Sequence, residues 1–139
     1  MRNFVFTLLL ILFCSLSFQD DIYSIEKLLD NSKIYNGKIV TVSGYLVDEF
    51  ENSSLYSSRK DKRKSNIKEA LWIDSKNKDI KYFNKKGIEI KYSSLKRKVL
   101  ITGIFICKPD TINGKIFGHG HMNGWPAELT DVTMIKEIN

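Results

Sequence analysis

Val40-Thr41-Val42-Ser43-Gly44-Tyr45-Leu46-Val47 is a β-branched run with a hydroxyl residue and then a glycine at its middle, and Val99-Leu100-Ile101-Thr102-Gly103-Ile104-Phe105-Ile106 repeats the pattern. β-Branched side chains favour the extended, pleated backbone. A glycine inside such a run weakens it, so it marks a bulge, a sharp bend or a close backbone approach. Two bent strands at equivalent places in a 139-residue chain predict a small, strongly curled barrel. In the first run Val40, Val42 and Leu46 share one parity, with Gly44 at the bend, while Thr41, Ser43, Tyr45 and Val47 take the other. Apolarity on both parities after the glycine means that the strand crosses from one side of the curled sheet to the other.

Upstream, residues 20–31 carry Ile22, Ile25, Leu28 and Leu29 at helical spacing, which predicts one short helix lying across an open end of the barrel. Asn36-Gly37 is a turn signal feeding the first long strand, residues 38–50. Downstream, Leu55-Tyr56 reads as a brief continuation of that strand or the start of a second, and residues 68–74 (with Ala70-Leu71-Trp72-Ile73) return to strand character. Between them, residues 59–66 hold no apolar side chain and are expected to be an exposed loop. Residues 76–86 read as a polar connection, and Gly87-Ile88-Glu89-Ile90-Lys91-Tyr92 alternates as a half-buried strand does. After the second bent strand comes a long glycine-punctuated loop, residues 108–126, with Lys115-Ile116-Phe117 as a short strand inside it. Residues 127–138 close the chain; Leu129, Val132 and Ile135 are the inward candidates, and their three-residue step requires a bulge or a helical turn.

Arg2, the apolar run from Phe4 to Phe13 and the small residues of Ser15-Leu16-Ser17 follow the order of a secretory signal peptide. The run is short for a membrane span. The expected organisation is therefore a signal peptide at 1–17, a helix and turn at 18–36, and a barrel domain at 37–139, in an exported periplasmic or secreted protein. Membrane contact would come only through the first segment, if it were uncleaved or lipidated at Cys14, where the bulky Phe13 disfavours lipid attachment. Cleavage after Ser17 leaves Cys107 as a single cysteine, so no internal disulfide forms, and strand parity places it inward as an inert thiol. Lys and Arg number 22 against 16 Asp and Glu, a net charge of +6. That excess either steers toward anionic partners or reflects lysines scattered over solvated segments.

The succession Ile25-Glu26-Lys27-Leu28-Leu29, Tyr35-Asn36-Gly37-Lys38, Val42-Ser43-Gly44-Tyr45-Leu46, Ala70-Leu71-Trp72-Ile73-Asp74, Lys98-Val99-Leu100-Ile101-Thr102-Gly103 and Gly118-His119-Gly120-His121 resembles small secreted or periplasmic bacterial proteins with an OB-like barrel. The resemblance covers roughly residues 22–137. It implies a mainly β chain folded as a five-stranded Greek-key OB-like barrel, and it supplies no catalytic residues.

Barrels of this class bind ligands on the face of their middle strands, flanked by the loop after the first strand and the loop before the last. Here the first such loop is basic, with Arg59, Lys60, Lys62, Arg63 and Lys64, and the second is rich in glycine, with His119, His121 and Trp125. Together with Tyr45, Tyr56 and Trp72 they would border a groove in which cations hold phosphate or carboxylate while ring faces stack on sugars or bases. Export makes nucleic acid a poor partner and favours an anionic glycan, a lipid headgroup or an envelope protein. His119 and His121 are the alternative: in an extended backbone both imidazoles point to one side and could share a metal ion, hydrolytic or not. No further histidine exists to complete a zinc site, so no cofactor is expected otherwise. Nucleophile–base pairs, phosphate-cradling glycine loops and paired-carboxylate signatures are absent from the sequence, which argues against an enzyme.

Overall fold

The computed structural model describes residues 21–49, 52–74, 76, 79–95, 97–107, 110–112, 115–120, 122 and 124–139. The expected signal peptide, Cys14 and His121 lie outside them. The chain is mainly β. Strand β1 (Ile22–Tyr23) leads into helices α1 (Ile25–Asp30) and α2 (Ser32–Tyr35), then β2 (Ile39–Glu49) and β3 (Asn52–Tyr56). Helix α3 (Arg59–Arg63) and a 3-10 turn (Ile67–Glu69) precede β4 (Ala70–Ile73) and β5 (Lys81–Phe83). A 3-10 turn at Tyr92–Ser94, β6 (Lys98–Ile106), the hairpin of β7 (Asp110–Ile112) and β8 (Lys115–Phe117), and β9 (Ala127–Glu137) complete it.

Seven of the strands form one mixed sheet, with β7 and β8 a separate antiparallel pair. Within the seven, β2 pairs with β3, β3 with β4, β4 with β9, β9 with β6, and β6 with β2. Each of these five strands therefore has two neighbours. Only the β4–β9 contact among them is parallel. Strands β1 and β5 add to this set by pairing in parallel with β2 and β9, which is why the sheet exceeds the expected five strands.

Strand β2 divides its hydrogen bonds at the glycine. Residues 39–45 pair with β6, and from Tyr45 onward the strand pairs with β3. The inward parity of β2 and β6 (Val40, Val42, Leu46, Val99, Ile101 and Phe105) fills one core with Leu55, Leu71, Ile73, Ala127, Leu129, Val132 and Ile135. Both glycines sit at close approaches. A Cβ on Gly44 would lie 2.6 Å from Leu55 Cγ and 2.8 Å from the Tyr56 carbonyl oxygen, and one on Gly103 would lie 2.9 Å from the Thr130 carbonyl oxygen.

The three-residue step in β9 is a register shift. Thr102 faces Met134 and Ile104 faces Thr130, so β9 carries extra residues opposite Gly103, with Asp131 in the left-handed region at φ +46°. Leu129, Val132 and Ile135 all reach the core because of it.

Elsewhere the structure corrects the expectations. The single N-terminal helix is two, divided at Asn31 (φ −117°, ψ 32°), and the first starts late because Ser24 is extended and its hydroxyl caps α1 by accepting from the Lys27 amide at 3.2 Å. That leaves Ile22 ahead of the helix, in β1 and exposed, while Ile25 and Leu28 enter the core. Residues 59–66 begin with α3 rather than a loop: the Ser58 hydroxyl accepts from the Asp61 amide and donates to the Asp61 carboxylate. The alternating stretch 87–92 is not a strand. Asn84 accepts from the Lys86 and Ile88 amides across a turn completed by Gly87 at φ +79°, and Ile88 is 59 % exposed. Its neighbour β5, in the expected polar connection, takes the place on β9 instead. Cys107 lies just past β6 and is half-buried rather than fully inward, its thiol donating to the Pro126 carbonyl at 3.4 Å. Among the described residues no helix is long and apolar enough to cross a membrane.

Candidate functional site

On a pleated sheet, residues directly opposite one another point to the same face. The registers therefore lay two rows across the outer face of β2, β3, β4 and β9. One row is Tyr45, Tyr56 and Ala70; the other is Val47, Ser54, Trp72 and Glu128. An outer face is ordinarily wet, yet Tyr56 and Val47 are 3 % exposed and Ala70 and Ser54 fully buried. The cover is the segment before β9. His119 and Trp125 bridge one another by two backbone hydrogen bonds, which folds the segment back on itself. Trp125 packs on the Val47, Tyr56 and Ala70 cluster beside Tyr45, and meets Trp72 edge to face with ring centroids 4.8 Å apart. Gly120 lies so close over Trp72 that a Cβ there would sit 2.5 Å from the indole ring.

Four of the expected ligand-binding residues, Tyr45, Tyr56, Trp72 and Trp125, are thus gathered on one face, but packed against each other. Tyr56, 3 % exposed, lacks the open ring face that stacking needs. The basic segment borders the same face. Lys62 Nζ reaches Glu49 Oε1 of β2 at 3.3 Å, and a Cβ on Gly124 would lie 3.2 Å from Ile67 Cδ1 in the turn following α3.

His119 is buried, with Nδ1 3.3 Å from Glu128 Oε1. Its Nε2 and the Trp125 Nε1 are the two buried side-chain polar atoms without a hydrogen-bond partner among the described residues. A buried group left in that condition costs about 1–3 kcal/mol. No cluster of three His, Cys, Asp or Glu side chains able to hold a metal ion occurs among the described residues. The second histidine of the expected pair, His121, is not among them, so only His119 of that pair is placed.

An open cavity of about 690 Å³ lies beside this covered face, lined by Ser43, Gly44, Tyr45, Ser57, Ser58, Arg59, Lys98 and Ile138. Of the five expected cations, Arg59 is the one that lines it; Lys62 is turned to Glu49, and Lys60, Arg63 and Lys64 are exposed on α3 and just beyond it. Lys98 was not legible as a site residue. It stands at the start of β6 directly opposite Tyr45, a placement that only the β2–β6 register reveals. Among the described lining residues there is no carboxylate. The described lining holds two cations, three serines and one tyrosine; the Ser57 hydroxyl donates to the Glu69 carbonyl and that of Ser58 to the Asp61 carboxylate, which leaves those of Ser43 and Tyr45 to donate into the cavity.

A smaller recess of about 280 Å³ is lined by Asp48, Tyr92, Ser93, Leu95 and Arg97. The Tyr92 hydroxyl donates to Asp48 Oδ2. Burial first, then that hydrogen bond and the Asp48 charge, push the Tyr92 phenol from 10.0 up to about 12, against a smaller lowering by Arg97. The folded state thus favours the neutral phenol. The stabilisation is complete below pH 10 and is lost as pH rises through about 12. In a tyrosinate absorbance titration, the Tyr92→Phe difference is expected to show this phenol ionising late, and Asp48→Asn to bring it part of the way back. A Tyr92 titration near 10 would contradict the assigned contact.

Comparison with models of protein families, with curated proteins and with solved structures gave no match to this chain.

Proposed function

We propose that this protein is an exported, non-enzymatic binding module of the bacterial cell envelope, a five-stranded Greek-key OB-like barrel that holds an anionic group in the cavity between α3 and β6. The observation that carries the reading is the convergence of Arg59 and Lys98, far apart in the chain, on one cavity with Ser43, Ser57, Ser58 and Tyr45. Two cations with the Ser43 and Tyr45 hydroxyls match a carboxylate, sulfate or phosphate, since hydrogen bonds to charged groups are the stronger kind. The barrel reading is supported by the circuit β2–β3–β4–β9–β6–β2, in which the last strand slots between the third and fourth members as a Greek-key connection requires. Export is supported by the charged, apolar and small-residue order of residues 1–17.

Titration calorimetry with an oligogalacturonate tests it. Replacing Arg59 and Lys98 together by Gln is expected to weaken binding about 100- to 10,000-fold, as two charge-assisted hydrogen bonds are lost. The same double variant flattens the salt dependence, while Lys60→Gln with Lys64→Gln changes affinity far less. Equal affinity in the parent and the Arg59/Lys98 variant would defeat the proposal. Anionic-lipid vesicles in place of the oligosaccharide distinguish a headgroup from a glycan.

A further inference from the structure

The covered outer face and the open cavity share a residue. Tyr45 packs against the Val47, Tyr56, Ala70 and Trp125 cluster and also lines the cavity with Arg59 and Lys98. Trp125 therefore stands where the cavity would otherwise run on across β3 and β4. On the sheet beneath, Ser54 donates to Asn52 Oδ1 at 2.7 Å, Ala70 has no polar side chain, and Glu128 is the floor residue that meets the cover, at His119 Nδ1. The polar deficit lies in the cover alone, because the two buried nitrogens without partners belong to His119 and Trp125. Moving the cover away brings water to both of those nitrogens, in exchange for the His119–Glu128 contact and the edge-to-face packing of Trp125 on Trp72. It also contains a residue in the left-handed region, Met122 at φ +58° and 86 % exposed, between the two bridge positions.

Building on the anion-binding reading above, we infer that Trp125 is a built-in plug, its indole occupying on the Tyr56–Ala70–Trp72 floor the place of a sugar ring of an acidic oligosaccharide whose carboxylate is held by Arg59 and Lys98. A flat indole is a stand-in for a ligand ring with an apolar face, and Trp72 and Tyr45 then flank that ring as Trp125 leaves. A single acidic sugar reaches the cations without disturbing the plug. A longer chain must displace it, so its apparent affinity is lowered by the fraction of molecules that are closed.

The two tryptophans of the chain, Trp72 and Trp125, both belong to this cluster, so their emission reports the displacement. The protein is titrated with galacturonic acid and with its hexamer. The hexamer is expected to shift the emission to longer wavelength, whereas the monosaccharide binds without doing so. In Trp125→Phe an aromatic ring stays in place and the unsatisfied N–H is gone, so closure is favoured. Hexamer affinity is then expected to fall about fivefold while monosaccharide affinity stays as in the parent. Trp125→Ala opens the floor and is expected to raise hexamer affinity about tenfold where one molecule in ten is open beforehand. Should the alanine variant fail to fold, the phenylalanine variant alone decides. A hexamer bound no better than the monosaccharide, with constant emission and no response to Trp125→Phe, overturns the plug and leaves the Arg59–Lys98 reading standing. Absence of binding by both sugars overturns both. An emission shift with single-stranded DNA and none with the hexamer overturns the sugar assignment.

Discussion

Gly44→Ala is expected to lower the free energy of unfolding by about 3 kcal/mol, and Gly44→Val to prevent cooperative folding at room temperature. The added Cβ meets the fully buried Leu55 at 2.6 Å and the Tyr56 carbonyl at 2.8 Å. A flexible side-chain end could turn aside, but Leu55 Cγ is held in the core and the carbonyl belongs to the β2–β3 pairing. Moving either means parting β3 from β2 where β2 changes partner from β6 to β3. Ordinary overpacking costs about 1–3 kcal/mol, and the rigid backbone obstacle places this case at the top of that range. Urea unfolding followed by circular dichroism measures it. A loss below about 1 kcal/mol for the alanine variant would show that the two strands do not approach as described.

Phe105→Ala is the second large effect. Phe105 has the largest side chain among the fully buried described residues, on β6 between the strands β2 and β9. Its backbone also ties the start of the fold to the sheet: the Gly37 amide donates to its carbonyl at 2.7 Å, and its amide donates to the Lys38 carbonyl at 3.0 Å. Truncating a buried phenylalanine costs about 3–5 kcal/mol, because the cavity left behind collapses only in part. For a domain of this size that is a fall in Tm of about 10–15 °C. Calorimetry showing a fall of under about 3 °C would mean that Phe105 is not at the centre of the core.

The two glycine-centred strands were legible because the signal is local: period-two apolarity, β-branched residues and a glycine that permits close approach all sit within eight residues. The bulge of β9 was legible for the same reason, since the spacing of Leu129, Val132 and Ile135 fits no plain strand. β1 escaped notice because Ile22 fits the helical spacing of Ile25 and Leu28, and only the cap at Ser24 ends that reading. Residues 87–92 misled in the opposite direction. Ile88 and Ile90 alternate properly, yet after the Asn84 turn the segment meets β5 through a single antiparallel bridge, Phe83 with Glu89, and the Ile90 amide on the Tyr82 carbonyl, too little to make it a strand.

Helix α3 was readable in principle from Ser58 and Asp61, which are spaced as a capping pair, although the charge run around them suggested a loop. The candidate site was legible only as a list of residue types. Which aromatics are roofed over, and that Lys98 rather than Lys60 or Lys64 joins Arg59, depend on strand register. Register is a property of long-range pairing, which one sequence does not display.

Three distant segments meet around the cavity proposed to hold an anion, and amide chemical-shift mapping during an oligogalacturonate titration tests that role most directly. The expected perturbations fall together at Ser43–Tyr45, Ser57–Arg59 and Lys98, with Ile138 beside them, and saturate with a single affinity. Perturbations confined to one of these segments, or scattered over exposed lysines with no saturation, would contradict it.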